Sequence, residues 1–238
     1  MNKKKKIIII VAACLVALIV TGVLLYVFLS VVPEKKKQEE RARLVKEYYN
    51  AKRIRYEEEN ERYADFEVDV AFLGDSLTDG YDLERYYPQY LTANRGIGGE
   101  TTIGLEQRMQ VSVYDLQPKV AVMLIGGNNL NTMFDNYERI LQGMKENLPN
   151  TEIVLLSLTA LGRDWARKNE LCTYNNVRIK KLAEKYRYRY VDLFTPLFDL
   201  DANELKPEYT VDGAHFTPEG YEVVTAQVTP VLKEILGR

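Results

Sequence analysis

From Glu67 onward the chain alternates short apolar runs with longer amphipathic stretches, and this rhythm constrains the fold more than any other feature. Apolar runs cover Val68 to Leu73, Lys119 to Ile125, Glu152 to Leu158 and Tyr188 to Leu193, with a weaker one from Ala93 to Ile97. Short runs without polar alternation suit strands buried on both faces. Residues 101–110, 135–148, 169–186 and 218–236 lie between or after them and predict helices. Thr217 is placed to cap the last of these, with Pro218 in its first turn. Strands alternating with helices predict a parallel sheet covered on both faces, an α/β fold. Such sheets collect ligands at the carboxyl ends of their strands. Gly74-Asp75-Ser76 and Gly126-Gly127-Asn128 both follow directly on an apolar run, so they are candidate site residues.

The chain ahead of residue 67 follows other rules. Residues 1–6 form a basic tail carrying Lys3 to Lys6, and Ile7 to Val32 is then uncharged. As a helix rising about 1.5 Å per residue that run measures roughly 39 Å, enough to cross a hydrocarbon core about 30 Å thick. We therefore expect a transmembrane signal-anchor over residues 7–32. A cleaved signal peptide is the main rival, but the run exceeds an apolar region of about 7–15 residues. No small-x-small site stands at its end, Ser30-Val31-Val32-Pro33. Val11-Ala12-Ala13-Cys14 loosely resembles a lipobox, yet the apolar run continues past Cys14. The Lys3–Lys6 cluster favours an inside N-terminus, which places the following domain outside the cytoplasm. Lys35, Lys36, Lys37, Arg41 and Arg43 on the other flank make a bare count of basic residues ambiguous. Residues 33–66 mix both signs of charge, and Leu44, Tyr48 and Ala51 give a partial apolar stripe. That pattern predicts a mostly solvated juxtamembrane helical spacer, because sustained heptads are missing.

The domain over residues 67–238 has few reactive groups. His215 is the single histidine, so any imidazole chemistry runs through it, and metal sites that need two histidine ligands are excluded. Asp212 precedes it by three positions, close enough for one turn to bring the carboxylate to Nδ1 and leave Nε2 facing a hydroxyl; a chance surface pair has the same spacing. Ser76 at a strand-to-helix turn can project its hydroxyl above the sheet, or simply cap the helix. Asn94 to Thr102 is a Gly-rich turn ahead of a helix, either donating backbone N–H groups to a substrate or merely making a tight turn; it matches neither a Walker loop nor a dinucleotide fingerprint. Asn128 can donate to a developing negative oxygen or cap its own turn. Tyr81, Tyr86 and Tyr87 follow the serine, and Arg163, Asp164 and Trp165 follow the third run. Tyr81, Arg163 and Trp165 are candidates for the substrate cleft, with packing or a plain surface loop as the alternative. Cys172 is expected to be an inert, buried or half-buried thiol. A net charge of −2 gives no electrostatic reason to expect nucleic acid as a partner.

Four blocks, Gly74-Asp75-Ser76-Leu77, Asn94 to Thr102, Gly126-Gly127-Asn128 and Asp212-Gly213-Ala214-His215, stand in the order found in the SGNH hydrolases, also called GDSL esterases/lipases. The chain resembles that family across about residues 68–236, particularly members similar to platelet-activating-factor acetylhydrolase and to lysophospholipases. The resemblance implies a flavodoxin-like three-layer α/β/α sandwich with a five-stranded parallel sheet. It implies Ser76 as nucleophile, His215 as general base and then acid, and Asp212 as its orienter. It further implies an oxyanion hole from the backbone N–H groups of Ser76 and Gly99 and the Asn128 amide, with neither metal nor cofactor. The expected activity is hydrolysis of a small-molecule, glycan or lipid ester. An O-acyltransferase or deacetylase working on envelope glycans, and a non-catalytic tethered binding domain, are the alternatives.

Overall fold

The structure, a computed structural model, describes residues 2–238; Met1 of the expected basic tail lies outside the described residues. Two compact units divide the chain, Met1–Ala51 and Lys52–Arg238.

The first unit is helical. Helix α1, Lys3–Tyr26, already includes the basic cluster, and a π-helical turn, Val27–Val31, leads into α2, Val32–Asn60. The π turn precedes Pro33, which has no N–H to offer the preceding turn, the kind of place where a helix ladder shifts register. Among the described residues this is the one helix long and apolar enough to cross a membrane.

In the second unit a five-stranded sheet runs β1 (Val70–Gly74), β2 (Thr92–Gly96), β3 (Val120–Leu124), β4 (Glu152–Leu156) and β5 (Arg189–Val191). Its spatial order is β2-β1-β3-β4-β5 and every pairing is parallel, the order of flavodoxin-like doubly wound sheets. The two-residue period of a strand divides each apolar run between two cores. Ala71, Leu73, Ala121, Met123, Ile153 and Leu155 face one core, and Val70, Phe72, Val122, Leu124, Val154 and Leu156 the other.

Short helices α3 (Ser76–Asp79) and α4 (Leu83–Tyr86) follow β1, and α5 (Thr102–Gln107) follows β2. Helices α6 (Phe134–Asn147) and α7 (Asn169–Tyr186) bring Ile140, Met144, Ile179 and Leu182 to the first core. After α8 (Phe194–Leu197) and a two-stranded antiparallel ladder of β6 (Phe198–Asp199) and β7 (Glu204–Leu205), α9 (Pro218–Leu236) brings Val224, Val228 and Leu232 to the second. Thr217 caps α9 by accepting the Gly220 N–H, as its position predicts. The three layers, the five parallel strands and the long helices α6, α7 and α9 match the sequence expectation with ends shifted by a few residues, whereas the helix expected over residues 101–110 is the short α5 followed by a π-helical turn, Gln110–Tyr114.

The spacer departs from that expectation. Its last turns, from Lys52 onward, belong to the second unit, and Tyr56 is only 1% exposed. A tyrosine amid charges gives no apolar periodicity, so the sequence shows a solvated helix where the fold makes a buried anchor.

Candidate active site

The order of strands reverses at β1, which has β2 on one side and β3 on the other. The turns after β1 and β3 therefore open on the crevice where doubly wound sheets hold ligands. Gly74 ends β1 where the backbone is crowded: a Cβ there would stand 2.2 Å from Thr78 Oγ1 and 2.3 Å from the Leu124 carbonyl. Only glycine lets the chain turn so closely. Asp75 then caps α3, its carboxylate accepting the Leu77 N–H at 3.1 Å. The capping role thus falls to Asp75, and the Ser76 hydroxyl is free to meet His215.

The imidazole arrives from the loop before α9. Asp212 Oδ1 accepts the backbone N–H groups of Ala214 and His215 at 2.9 and 2.8 Å, and Oδ2 meets His215 Nδ1 at 2.7 Å. With Nδ1–H donating to the carboxylate, Nε2 is the acceptor facing Ser76 Oγ at 3.0 Å. Gly213 supports the bend with φ +96, and its carbonyl accepts the Gly162 N–H at 2.7 Å. Partial burial pulls the Asp212 carboxyl upward, but the three hydrogen bonds outweigh it and hold the group down at about 2. The carboxylate is therefore charged throughout any neutral range. An imidazole so held can take a proton from a hydroxyl while the carboxylate supports the charge that results.

Across the crevice, Asn128 Nδ2 donates to the Glu100 carbonyl at 2.8 Å, leaving its second N–H without a partner among the described residues. Asn129 adds a second tie between the same two turns, accepting the Thr102 N–H at 3.3 Å and donating to Thr102 Oγ1 at 2.9 Å. Gly99, at φ +75, is exposed beside Glu100. Beneath the turns Arg108 is fully buried, donating to the Glu100 carboxylate, Ser112 Oγ and the Gly74 carbonyl. Burial raises the Glu100 carboxyl against the pull of Arg108. Burial also pushes Asp75 up to about 6, although the Leu77 N–H and His215 work against it.

A cavity of about 300 Å³ joins these parts, with Ser76, Asn128, Asp212, His215 and Trp165 among its lining residues. Its walls are mainly apolar, supplied by Leu124, Leu158, Leu161 and Cys172, and the Lys168 ammonium lies 4.5 Å over the Trp165 ring. Burial pushes the Cys172 thiol up to about 11, which keeps it protonated and inert. Three expected residues lie outside the lining. Gly99 stands on the adjoining turn. Tyr81 is no cleft residue: it is 6% exposed, with its hydroxyl bonded to Tyr87 and Thr225 and its ring stacked on Tyr221. Arg163 sits at φ +52 with its N–H donated to Glu204, and it is exposed and not among the residues that line the cavity. The sequence reading passes over Lys168 and the leucine walls and takes Cys172 as inert without placing it here. The spacing of Trp165, Lys168 and Cys172 at three and then four residues is the signal that puts them on one helical face.

A sequence profile of the GDSL-like lipase/acylhydrolase family matches residues 72–223. No curated protein sequence matches the chain. Among solved structures, a provisionally assigned platelet activating factor protein from Streptococcus pneumonia is similar at 26% identity and TM-score 0.75, over 83% of this chain and 99% of its own. A GDSL-like lipase from Bacteroides thetaiotaomicron is similar at 25% identity and TM-score 0.68, over 76% and 97%. An acetyl xylan esterase shares the fold at 23% identity and TM-score 0.59, over 69% and 99%. Sequence blocks, sheet order and profile agree: the chain belongs to the GDSL-like lipase/acylhydrolase family and is an ester-hydrolysing enzyme.

Proposed function

We propose that the enzyme is a membrane-anchored serine ester hydrolase that works through an acyl-enzyme. His215 Nε2 takes the Ser76 proton as Oγ adds to the ester carbonyl. The negative oxygen formed faces the N–H groups of Ser76 and Gly99 and the second N–H of Asn128, and donors pre-aimed at that oxygen lower the barrier. The tetrahedral intermediate collapses, the C–O bond to the alcohol breaks, and His215 returns the proton to the leaving oxygen. Water, deprotonated by His215, then attacks the acyl-enzyme and releases the free acid and Ser76. Asp212 holds the tautomer throughout. The observation that carries this reading is the unbroken line Asp212–His215–Ser76 at 2.7 and 3.0 Å.

The apolar cavity suits the acyl group. A neighbouring cavity of about 340 Å³ shares Gly127, Asn128 and Lys168 with it; its walls are mixed, Leu130 and Leu171 standing beside Asn129, Asn131 and Thr132, and those polar side chains suit the hydroxyl groups of an alcohol such as a glycan or headgroup. The apolar α1 helix supports membrane anchoring, and its Lys3–Lys6 flank supports a catalytic domain outside the cytoplasm.

Ser76→Ala is the decisive experiment. Turnover of 4-nitrophenyl acetate should fall by a factor on the order of 10⁴ or more, with loss of labelling by a fluorophosphonate. Retention of near-normal activity by the purified variant ends the mechanism.

A further inference from the structure

We infer that Lys52, Tyr56 and Glu59, at the end of the charged helix α2, are positioning residues for the turn that carries Gly99. The inference rests on the proposed oxyanion role of that turn. The Tyr56 hydroxyl donates to the Gly96 carbonyl at 2.6 Å. Glu59 pairs with the guanidinium of Arg95, which is fully buried and also donates to Asn60 Oδ1 at 3.0 Å. Lys52 pairs with Asp79 through Oδ1, and the other oxygen of Asp79 accepts the Gly98 N–H at 3.1 Å. Residues 95, 96 and 98 are thus tied to one short piece of α2, directly or through Asp79. The Tyr56 ring lies under the Arg95 and Arg108 guanidinium groups, whose carbons stand 4.7 and 6.0 Å from its centre.

The geometry has a catalytic consequence. The Gly99 N–H belongs to the peptide that follows Gly98, so the Asp79–Gly98 bond fixes one side of the residue that aims it. Asp79 also ends α3, the helix that Ser76 begins. Lys52 therefore stands beside a carboxylate that joins the nucleophile's helix to the oxyanion turn. No side chain fixes Gly99, and the space on its Cβ side is open: a Cβ there finds nothing within 4 Å among the described residues. Orientation of this N–H depends on the ties behind it. An oxyanion donor moved by a fraction of an ångström loses transition-state stabilisation without losing ground-state binding.

The test uses the full chain in detergent micelles, well below its melting midpoint. Lys52→Met and Tyr56→Phe should each lower kcat for 4-nitrophenyl acetate about 10-fold with KM unchanged, because a transition-state contact is impaired. Affinity for a trifluoromethyl ketone, whose carbonyl adds Ser76 Oγ to form a tetrahedral oxyanion, should fall by the same factor. Lys52→Arg, which restores the charge to Asp79, should recover kcat. Full kcat in Lys52→Met and Tyr56→Phe, or a lower melting midpoint with unchanged kcat, overturns the inference. So does a fall in kcat with no matching fall in ketone affinity. Ser76→Ala, run in parallel, separates the failures. If it is active, the acyl-enzyme reading falls. If it is inactive while Lys52→Met is fully active, only the positioning role falls.

Discussion

The Ser76 turn and the Asp212–His215 loop meet within hydrogen-bonding distance, yet the fold holds them by different means. The Ser76 turn sits on strands whose residues are buried on both faces. Below it lie a fully buried arginine, a carboxylate 7% exposed and a capping aspartate 5% exposed. The His215 loop has no such foundation. The side chains of Asp212 and His215 are each 49% exposed, and the loop keeps its shape mainly through short-range bonds, Asp212 to two N–H groups and Thr210 Oγ1 to the Gly213 N–H and the His215 carbonyl, with one distant tie from the Gly162 N–H to the Gly213 carbonyl. One side is fixed by burial and charge pairing, the other by local turn geometry. Substitutions on the loop should therefore damage catalysis and spare stability, while substitutions beneath the Ser76 turn should do the reverse.

Asp212→Asn gives the largest expected effect on the loop. Asparagine can still accept the two backbone N–H groups but presents an NH₂ group toward Nδ1, which favours the wrong imidazole tautomer. The kcat should drop roughly 10³–10⁴-fold, while the urea midpoint of unfolding stays close to that of the unaltered chain. A large stability loss would show that the loop bears structural weight and would erase the contrast.

Arg108→Met addresses the other side. It strands the Glu100 carboxylate in a buried site, and breaking such a pair destabilises by about 3–5 kcal/mol. Replacing both partners, Glu100→Leu with Arg108→Met, removes the stranded charge and should recover most of that loss. Urea unfolding of the single and double variants measures both. Equal destabilisation in the two would mean that the bonds from Arg108 to Gly74 and Ser112 matter more than the charge pair. Asn128→Ala stands between the two regions, because its amide bridges the turns and also faces the site. Its kcat should fall roughly 10²–10³-fold, and a loss below about threefold removes Asn128 from the oxyanion role.

These regions also differ in what the sequence discloses. The strands are legible because their apolar runs are short, uninterrupted and bounded by glycine-rich turns. The loop is legible because its parts, Asp212, Gly213 and His215, lie within four positions and act locally. The bracing of the Gly99 and Ser76 turns is hidden because its members are far apart in the chain. Arg95 meets Glu59 and Asn60 at separations of 36 and 35 residues, and Arg108 reaches Gly74 at 34. No periodicity marks such pairs. Tyr81 misleads for the opposite reason: it is close to Ser76 in sequence, but α3 is a single turn, after which the chain carries Tyr81 into the second core. Nearness along the chain predicts contact only where the local structure is regular.

Asp75→Asn gives the smallest and most specific effect, one that depends on pH. Burial raises the folded-state carboxyl from 3.8 to about 6, so the folded chain binds this proton more tightly than the unfolded chain does. Stability then falls as pH rises from the unfolded value through about 6 and levels off above it. At about 1.4 kcal/mol per unit, the penalty for the buried charge is at most about 3 kcal/mol. Asparagine keeps the acceptor for the Leu77 N–H and carries no charge. The variant should therefore be more stable than the unaltered chain at pH about 8, with the advantage shrinking to nothing near pH about 4. Urea unfolding across that range measures the difference. A constant difference at all pH values would mean that the charge is not penalised. The Ser76 turn would then resemble the exposed loop more closely than its burial implies.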